Sequence, residues 1–159
     1  MPLMSIAENI FLGNEQATAG VIDPRKTHSR TVELLKQVGL KESPDELITN
    51  LGVGKQQLIE IAKALSKKVK LLILDEPTTG LDPQVRHLIW EKLRGFKKQG
   101  MTILLTTHYM EEAEKLCDRV GIVEQGRSLA LDSVDRLVRQ HGGASQLSYF
   151  SSGIEHRIP

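Results

Sequence analysis

Asp75 and Glu76 are adjacent carboxylates that follow an apolar run, Leu71-Leu72-Ile73-Leu74, and precede Pro77. Four consecutive apolar residues predict a short strand buried on both faces of a parallel sheet. Ligands of open α/β sheets bind at the carboxyl ends of the strands. At that end a first carboxylate, Asp75, can hold Mg²⁺ directly or through water. A second, Glu76, can orient or activate a water molecule. This pairing suits the cleavage of a phosphate bond. The same six residues also fit a plain strand followed by a solvated acidic turn, and the choice rests on the surrounding chain.

The elements around this pair follow from caps and periodicity. Ser5-Ile6-Ala7-Glu8 is a capping box, with Gly13 closing a short helix. Residues 14–22 read as a loop. Asp23-Pro24 starts a helix that Gly39 ends, with Leu34, Leu35 and Val38 inside. Ser43-Pro44-Asp45-Glu46 reads as a second capping box at the head of another short helix. The turn Leu51-Gly52-Val53-Gly54-Lys55-Gln56-Gln57 opens a helix to about Ser66, with Leu58, Ile59, Ala62 and Leu65 inward. The strand carrying Asp75 spans about Lys70 to Leu74. Asp82-Pro83 starts the next helix, which runs to Gly100 with Val85, Leu88, Ile89, Leu93 and Phe96 on one stripe. Met101 to Thr106 predicts a second buried strand, with His108 at its exit. Tyr109 to Cys117 reads as helix, with Met110, Ala113, Leu116 and Cys117 on the apolar side. Val120–Glu124 and Ser128–Leu131 read as strands around a Gln125-Gly126 turn, and a helix from Asp132 or Ser133 reaches about Gln140. Beyond Gly142 the tail shows no periodicity.

Composition narrows the classes. The chain has 159 residues and a formal net charge of +1, which suits one globular domain and gives no basic field for nucleic acid. The five histidines form no pair at metal-ligand spacing, and the single Cys117 cannot close an internal disulfide. It reads as a small core residue in a reducing setting. No apolar stretch approaches the roughly 20 residues that span a bilayer. Acidic Glu8 and polar Asn9 interrupt any signal-peptide core.

Several of these segments together resemble the nucleotide-binding domain of ABC transporters. Leu51 to Gln57 stands where that family has its signature motif. Leu71 to Glu76 resembles its Walker B strand, and Thr79-Gly80-Leu81-Asp82 its D-loop. Leu104-Leu105-Thr106-Thr107-His108 resembles the switch-histidine segment. The resemblance covers roughly residues 3–140 and implies an α/β chain: a partial P-loop NTPase (ABC-type) fold with a parallel sheet, crossover helices and a helical subdomain. It implies ATP and Mg²⁺ as ligands, with Asp75 at the metal, Glu76 polarising water and His108 donating to the γ-phosphate. Residues Leu51, Gly52, Val53, Gly54, Lys55 and Gln56 would face the nucleotide of an opposite subunit. Gly80, Leu81 and Asp82 would lie at the dimer interface, although Asp82 can equally be a helix cap alone. The implied partners are a transmembrane transporter subunit and a second nucleotide-binding domain, without nucleic acid. The implied place is the cytoplasmic side of the membrane, peripherally bound.

The sequence departs from the family in two ways. The signature serine is Gly52 and its glutamine is Lys55, so a hydroxyl is lost and a charge gained. No Gly-x-x-x-x-Gly-Lys-Ser/Thr phosphate loop occurs in the 159 residues. The expected organisation is a helical subdomain over 1–68, a catalytic-core portion over 69–141 and an irregular tail over 142–159. Met4 to Leu74 resembles carbohydrate importers of the ribose type, and Thr78 to Gln140 resembles drug and lipo-oligosaccharide exporters. The expected function is therefore ATP-driven solute transport. The alternative is a truncated or chimeric cassette that does not hydrolyse ATP and acts only through a partner, or has no function.

Overall fold

The structure, a computed structural model, describes the backbone of residues 3–18, 21–67, 69–141, 147–151 and 154–158. Side-chain environments are described for residues 3–17, 22–67 and 69–140. The chain divides into two compact units, residues 1–108 and 109–159, so the helical segment and the Asp75 strand share one unit.

One part of the first unit is built on three helices. Helix α1 (Ile6–Phe11) begins at Ser5, whose Oγ accepts the Glu8 N–H while the Glu8 carboxylate accepts the Ser5 N–H. The sequence capping box is thus formed. Helix α2 (Pro24–Val38) starts at Asp23, which accepts the N–H groups of Arg25 and Lys26, and closes at Gly39 with φ 83°. Helix α3 (Val53–Ser66) packs on both. Ile6, Ile10, Phe11, Leu34, Leu35, Val38, Leu58, Ile59, Ile61, Ala62 and Leu65 are all buried. Each large side chain among them contributes about 1.5–3 kcal/mol by leaving water.

Two expectations in this helical part of the unit are overturned. Residues 43–46 form a turn, not a helix start. Their carbonyls are committed elsewhere: Pro44 and Glu46 accept the Ala7 and Ile6 N–H groups at 2.9 Å each. Those donors are unsatisfied within the first turn of α1, so the 43–46 segment serves as an external cap for that helix. Only a short 3₁₀ turn, Ile48–Asn50, follows. Residues 14–22 are not a plain loop either. Two short antiparallel strands, β1 (Ala17–Thr18) and β2 (Val21–Ile22), pair there.

The other part of the unit carries the candidate chemistry. Strand β3 (Leu71–Asp75), helix α4 (Pro83–Lys98) and strand β4 (Thr102–Thr106) make a β-α-β crossover. β3 and β4 pair in parallel, Leu71 opposite Thr102 through Asp75 opposite Thr106. Helix α4 buries Ile89, Leu93 and Phe96 as expected, and also Trp90. Val85 is half-buried, and Leu88 is exposed. Neither strand is buried on both faces. Leu71, Ile73 and Leu104 are 49%, 65% and 57% exposed, whereas Leu72 is buried. The continuous apolar run reflects a two-sided strand, but only one side of this two-stranded sheet is packed. Asp75 and Thr106 continue the open row, because alternate residues share a face.

In the second unit, α5 (Met110–Leu116) buries Ala113 and Leu116. Met110 is 68% exposed and Cys117 half-buried, so neither is the core residue expected. Strands β5 (Val120–Glu124) and β6 (Arg127–Asp132) form the expected hairpin around Gln125 and Gly126, both at positive φ. That geometry suits a two-residue primed turn. Helix α6 (Val134–His141) follows. The tail is not wholly irregular: β7 (Leu147–Ser151) and β8 (Ile154–Ile158) pair antiparallel.

Candidate functional site

The carboxyl end of β3 assembles three side chains, Thr79, Thr106 and His108, around two carboxylates. Register places Asp75 directly opposite Thr106 on neighbouring strands, and the Thr106 hydroxyl donates to Asp75 Oδ1. Glu76 then leaves the strand at φ 44°, in the left-handed region that non-glycine residues rarely adopt. Such a conformation costs on the order of 1–3 kcal/mol and persists where neighbours over-determine it. Three neighbours do so. The Glu76 N–H donates to the Thr106 carbonyl at 3.1 Å. The Thr79 hydroxyl donates to Glu76 Oε2 at 3.1 Å, and His108 Nδ1 lies 3.3 Å from Oε1. The strained turn thus holds a carboxylate with both oxygens engaged just beyond the end of the strand.

The imidazole contact has a chemical consequence. A carboxylate only accepts, so His108 Nδ1 donates in this pair. A neutral ring then presents only a lone pair at Nε2. His108 can donate to a phosphate from Nε2 only as imidazolium, or after leaving Glu76.

Residues 79–82 follow directly. Gly80 sits at φ 74°, a conformation that suits glycine there. Leu81 is buried, and Asp82 caps α4 by accepting the Val85 N–H at 3.0 Å. The cap reading of Asp82 is therefore realised within the chain.

The signature-like segment is occupied differently. Gly52 is the N-cap of α3 but provides no side-chain hydrogen bond. A Cβ on Gly54 would collide with Val85 Cγ1, so this glycine lets α3 approach the first turn of α4. Lys55 Nζ lies 2.6 Å from Glu42 Oε1. The hydrogen bond from Lys55 holds the Glu42 carboxyl below its usual range. Gln56 Nε2 donates to the Leu51 carbonyl at 2.8 Å and to that of Ile48 at 3.3 Å. Leu51 is buried, and Val53 is 59% exposed. The polar side chains of Lys55 and Gln56 are thus both engaged within the chain.

The structure therefore gathers Asp75, Glu76 and His108 into one cluster and places Leu51 to Gln56 in another, beside the Asp82 cap. Sequence reasoning missed Thr79, Thr106 and Glu42. Thr79 carried a signal, because it stands three residues from Glu76 across a Gly-containing turn. An open cleft of about 300 Å³, lined by Asn9, Thr49, Gln57 and Glu60 among others, lies near α3 and not at the carboxylates.

The donor set fits a divalent ion. Among the described residues no three His, Cys, Asp or Glu side chains form a closed metal cage. Mg²⁺ is commonly held by one or two carboxylates together with substrate phosphates and water. Asp75, joined only to a hydroxyl oxygen here, suits that role.

Comparison with known proteins places this geometry in context. The ABC transporter family model matches residues 1–79. An L-arabinose transport ATP-binding protein of Geobacillus stearothermophilus is 47% identical over 146 residues, covering 87% of this chain and 28% of that protein. A Nod factor export ATP-binding protein of Rhizobium sp. strain N33 is 44% identical over 134 residues, 84% of this chain and 44% of the relative. Sugar transport and Nod factor export both occur among the names of the relatives, and each of these two aligns over more than four fifths of the chain. The chain spans less than half the length of these curated relatives. In fold it matches the cassette MJ1267 of an ABC transporter, with TM-score 0.74, 20% identity, and 86% and 58% of the two chains covered. It also matches cbiO1 of Clostridium perfringens, part of the transporter complex cbiONQ, with TM-score 0.69, 27% identity, and 87% and 57% covered. By sequence and by fold, the chain belongs with the ATP-binding cassettes of ABC transporters.

Proposed function

We propose that the chain works within the ATP-binding subunit of an ABC transporter and couples ATP binding and hydrolysis to solute movement across a membrane. One observation carries this reading. Two adjacent carboxylates stand at the end of β3, and the second is held against His108 at 3.3 Å. Asp75 would hold Mg²⁺, which would supply charge neutralisation at the nucleotide phosphates. Glu76 would accept a proton or a hydrogen bond from water through Oε1 or Oε2, once either is released from His108 or Thr79. His108 would anchor Glu76 and, after release, donate to a phosphate oxygen. Asp82 and the 51–56 turn would face a second cassette, though Lys55 and Gln56 would first have to leave their internal partners. The grip on the phosphates would come from a loop that these 159 residues do not contain.

A transmembrane subunit and a second cassette are the proposed partners, with the chain on the cytoplasmic side. Among the described residues no helix is long and apolar enough to cross a membrane. The decisive experiment is ATP hydrolysis by the assembled transporter carrying Glu76→Gln. Hydrolysis falls while Mg-ATP binding persists. Hydrolysis indifferent to this change overturns the proposal.

A further inference from the structure

Thr106 makes two bonds to the two residues of the carboxylate pair. Its backbone carbonyl accepts the Glu76 N–H at 3.1 Å, and its hydroxyl donates to Asp75 Oδ1. These two bonds are separable. Any residue at 106 can supply the carbonyl, but only serine or threonine can supply the hydroxyl without changing size greatly. The pairing also needs the strand register, which sets Asp75 and Thr106 opposite each other on one face of the sheet. That face is open: Ile73 and Leu104, the preceding pair in the same row, are 65% and 57% exposed. Asp75 is itself exposed, so among the described residues packing does not fix the orientation of its side chain. A charge-assisted hydrogen bond is the remaining constraint. Threonine is suited to impose it, because its β-branched side chain has few accessible χ1 wells.

We propose that Thr106 is a positioning residue for Asp75: its hydroxyl fixes Oδ1 and so leaves Oδ2 oriented as the oxygen for a divalent cation. This rests on the assignment of Asp75 to the metal made above. Thr106 touches neither the metal nor the nucleotide; it acts through Asp75. Outer partners of metal-binding carboxylates commonly change metal affinity by about 10–100-fold when removed. Thr79 stands in the same relation to Glu76, and it serves as a contrast, since its hydroxyl engages the water-directed carboxylate instead.

The test uses the purified chain and two readouts. The first needs no metal: the Hα–Hβ scalar couplings of Asp75, measured by NMR. The wild type should show a single χ1 rotamer, Thr106→Val averaged couplings, and Thr106→Ser largely restored ones. Averaged couplings in the wild type overturn the proposal without recourse to any variant, and so do unchanged couplings in Thr106→Val. The second readout is Mn²⁺ binding, followed by the electron paramagnetic resonance signal of the free ion. Thr106→Val should weaken it about tenfold, Thr106→Ser should recover most of the loss, and Thr79→Val should leave it near the wild type. Averaged couplings with undiminished Mn²⁺ affinity in Thr106→Val overturn the role in metal positioning. Mn²⁺ binding that is indifferent to Asp75→Asn instead shows that Asp75 is not the metal carboxylate, and the Thr106 assignment falls with it.

Discussion

The end of β3 and the head of α3 are both short, motif-like turns, yet their side chains are spent differently. At β3 the hydroxyls of Thr79 and Thr106 and the ring of His108 all converge on the Asp75 and Glu76 carboxylates. The carboxylates remain open to solvent, with the Glu76 side chain 49% exposed. At α3 the polar groups are spent on partners within the chain. Lys55 is bound to Glu42, Gln56 holds two carbonyls of its own turn, and Gly54 is a contact surface for Val85. The first turn is organised to present oxygen atoms, and the second to hold two helices together. A functional motif in sequence therefore needs a check on where its hydrogen-bonding capacity goes.

The largest effect that sharpens this contrast is expected at Glu76. Glu76→Gln keeps size and loses the charge that activates water, so ATP hydrolysis in the assembled transporter should fall about 10²–10⁴-fold. The same change should move thermal stability little. Gly54→Ala should do the reverse. Its methyl would meet Val85, and overpacking of this kind costs about 1–3 kcal/mol, read as a lower melting temperature. Gly52→Ala adds a methyl where nothing lies within 4 Å, so any loss there reflects the N-cap and not overpacking. A Gly54→Ala protein as stable as wild type would break the packing account of that glycine.

Lys55→Met tests the internally paired charge on a smaller scale. Lys55 is half exposed, so solvent screens the pair and about 0.5 kcal/mol is at stake near neutral pH. The folded-state pKa of Glu42 is depressed, so this stabilisation is present above the unfolded value of about 4.3 and is lost as pH falls through the folded value. Denaturant titrations of the two proteins should therefore differ at pH 7 and converge in acid. A gap that persists in acid would mean that the Lys55 stem, not its charge, supports the turn. The smallest effect is expected for Gly52→Ser. Gly52 caps α3 without a side-chain acceptor, and restoring one should add a few tenths of a kcal/mol.

Local signals in the sequence carried much of this structure. Capping residues Ser5, Asp23 and Asp82 lie where their helices start, because a cap and its target are neighbours in the chain. Asp75, Glu76 and His108 were legible because each sits at the exit of a strand that its own apolar run announces. Contacts set by register or by distant backbone were not. Thr106 meets Asp75 across 31 residues, and only strand pairing brings them level. The Ser43–Glu46 pattern misled for a related reason: its carbonyls were needed by α1, which outweighed the local capping signal. The exposure of Ile73 and Leu104 was also hidden, since an apolar run does not say how many of its faces find a partner.

The most direct test of the account is a calorimetric titration of ATP into the folded chain, with and without Mg²⁺, beside Asp75→Asn. Without a phosphate loop, phosphoryl affinity is weak. The account predicts millimolar binding that requires Mg²⁺ and disappears in Asp75→Asn. Micromolar binding that survives both the removal of Mg²⁺ and the Asp75→Asn change would place the nucleotide elsewhere and contradict it.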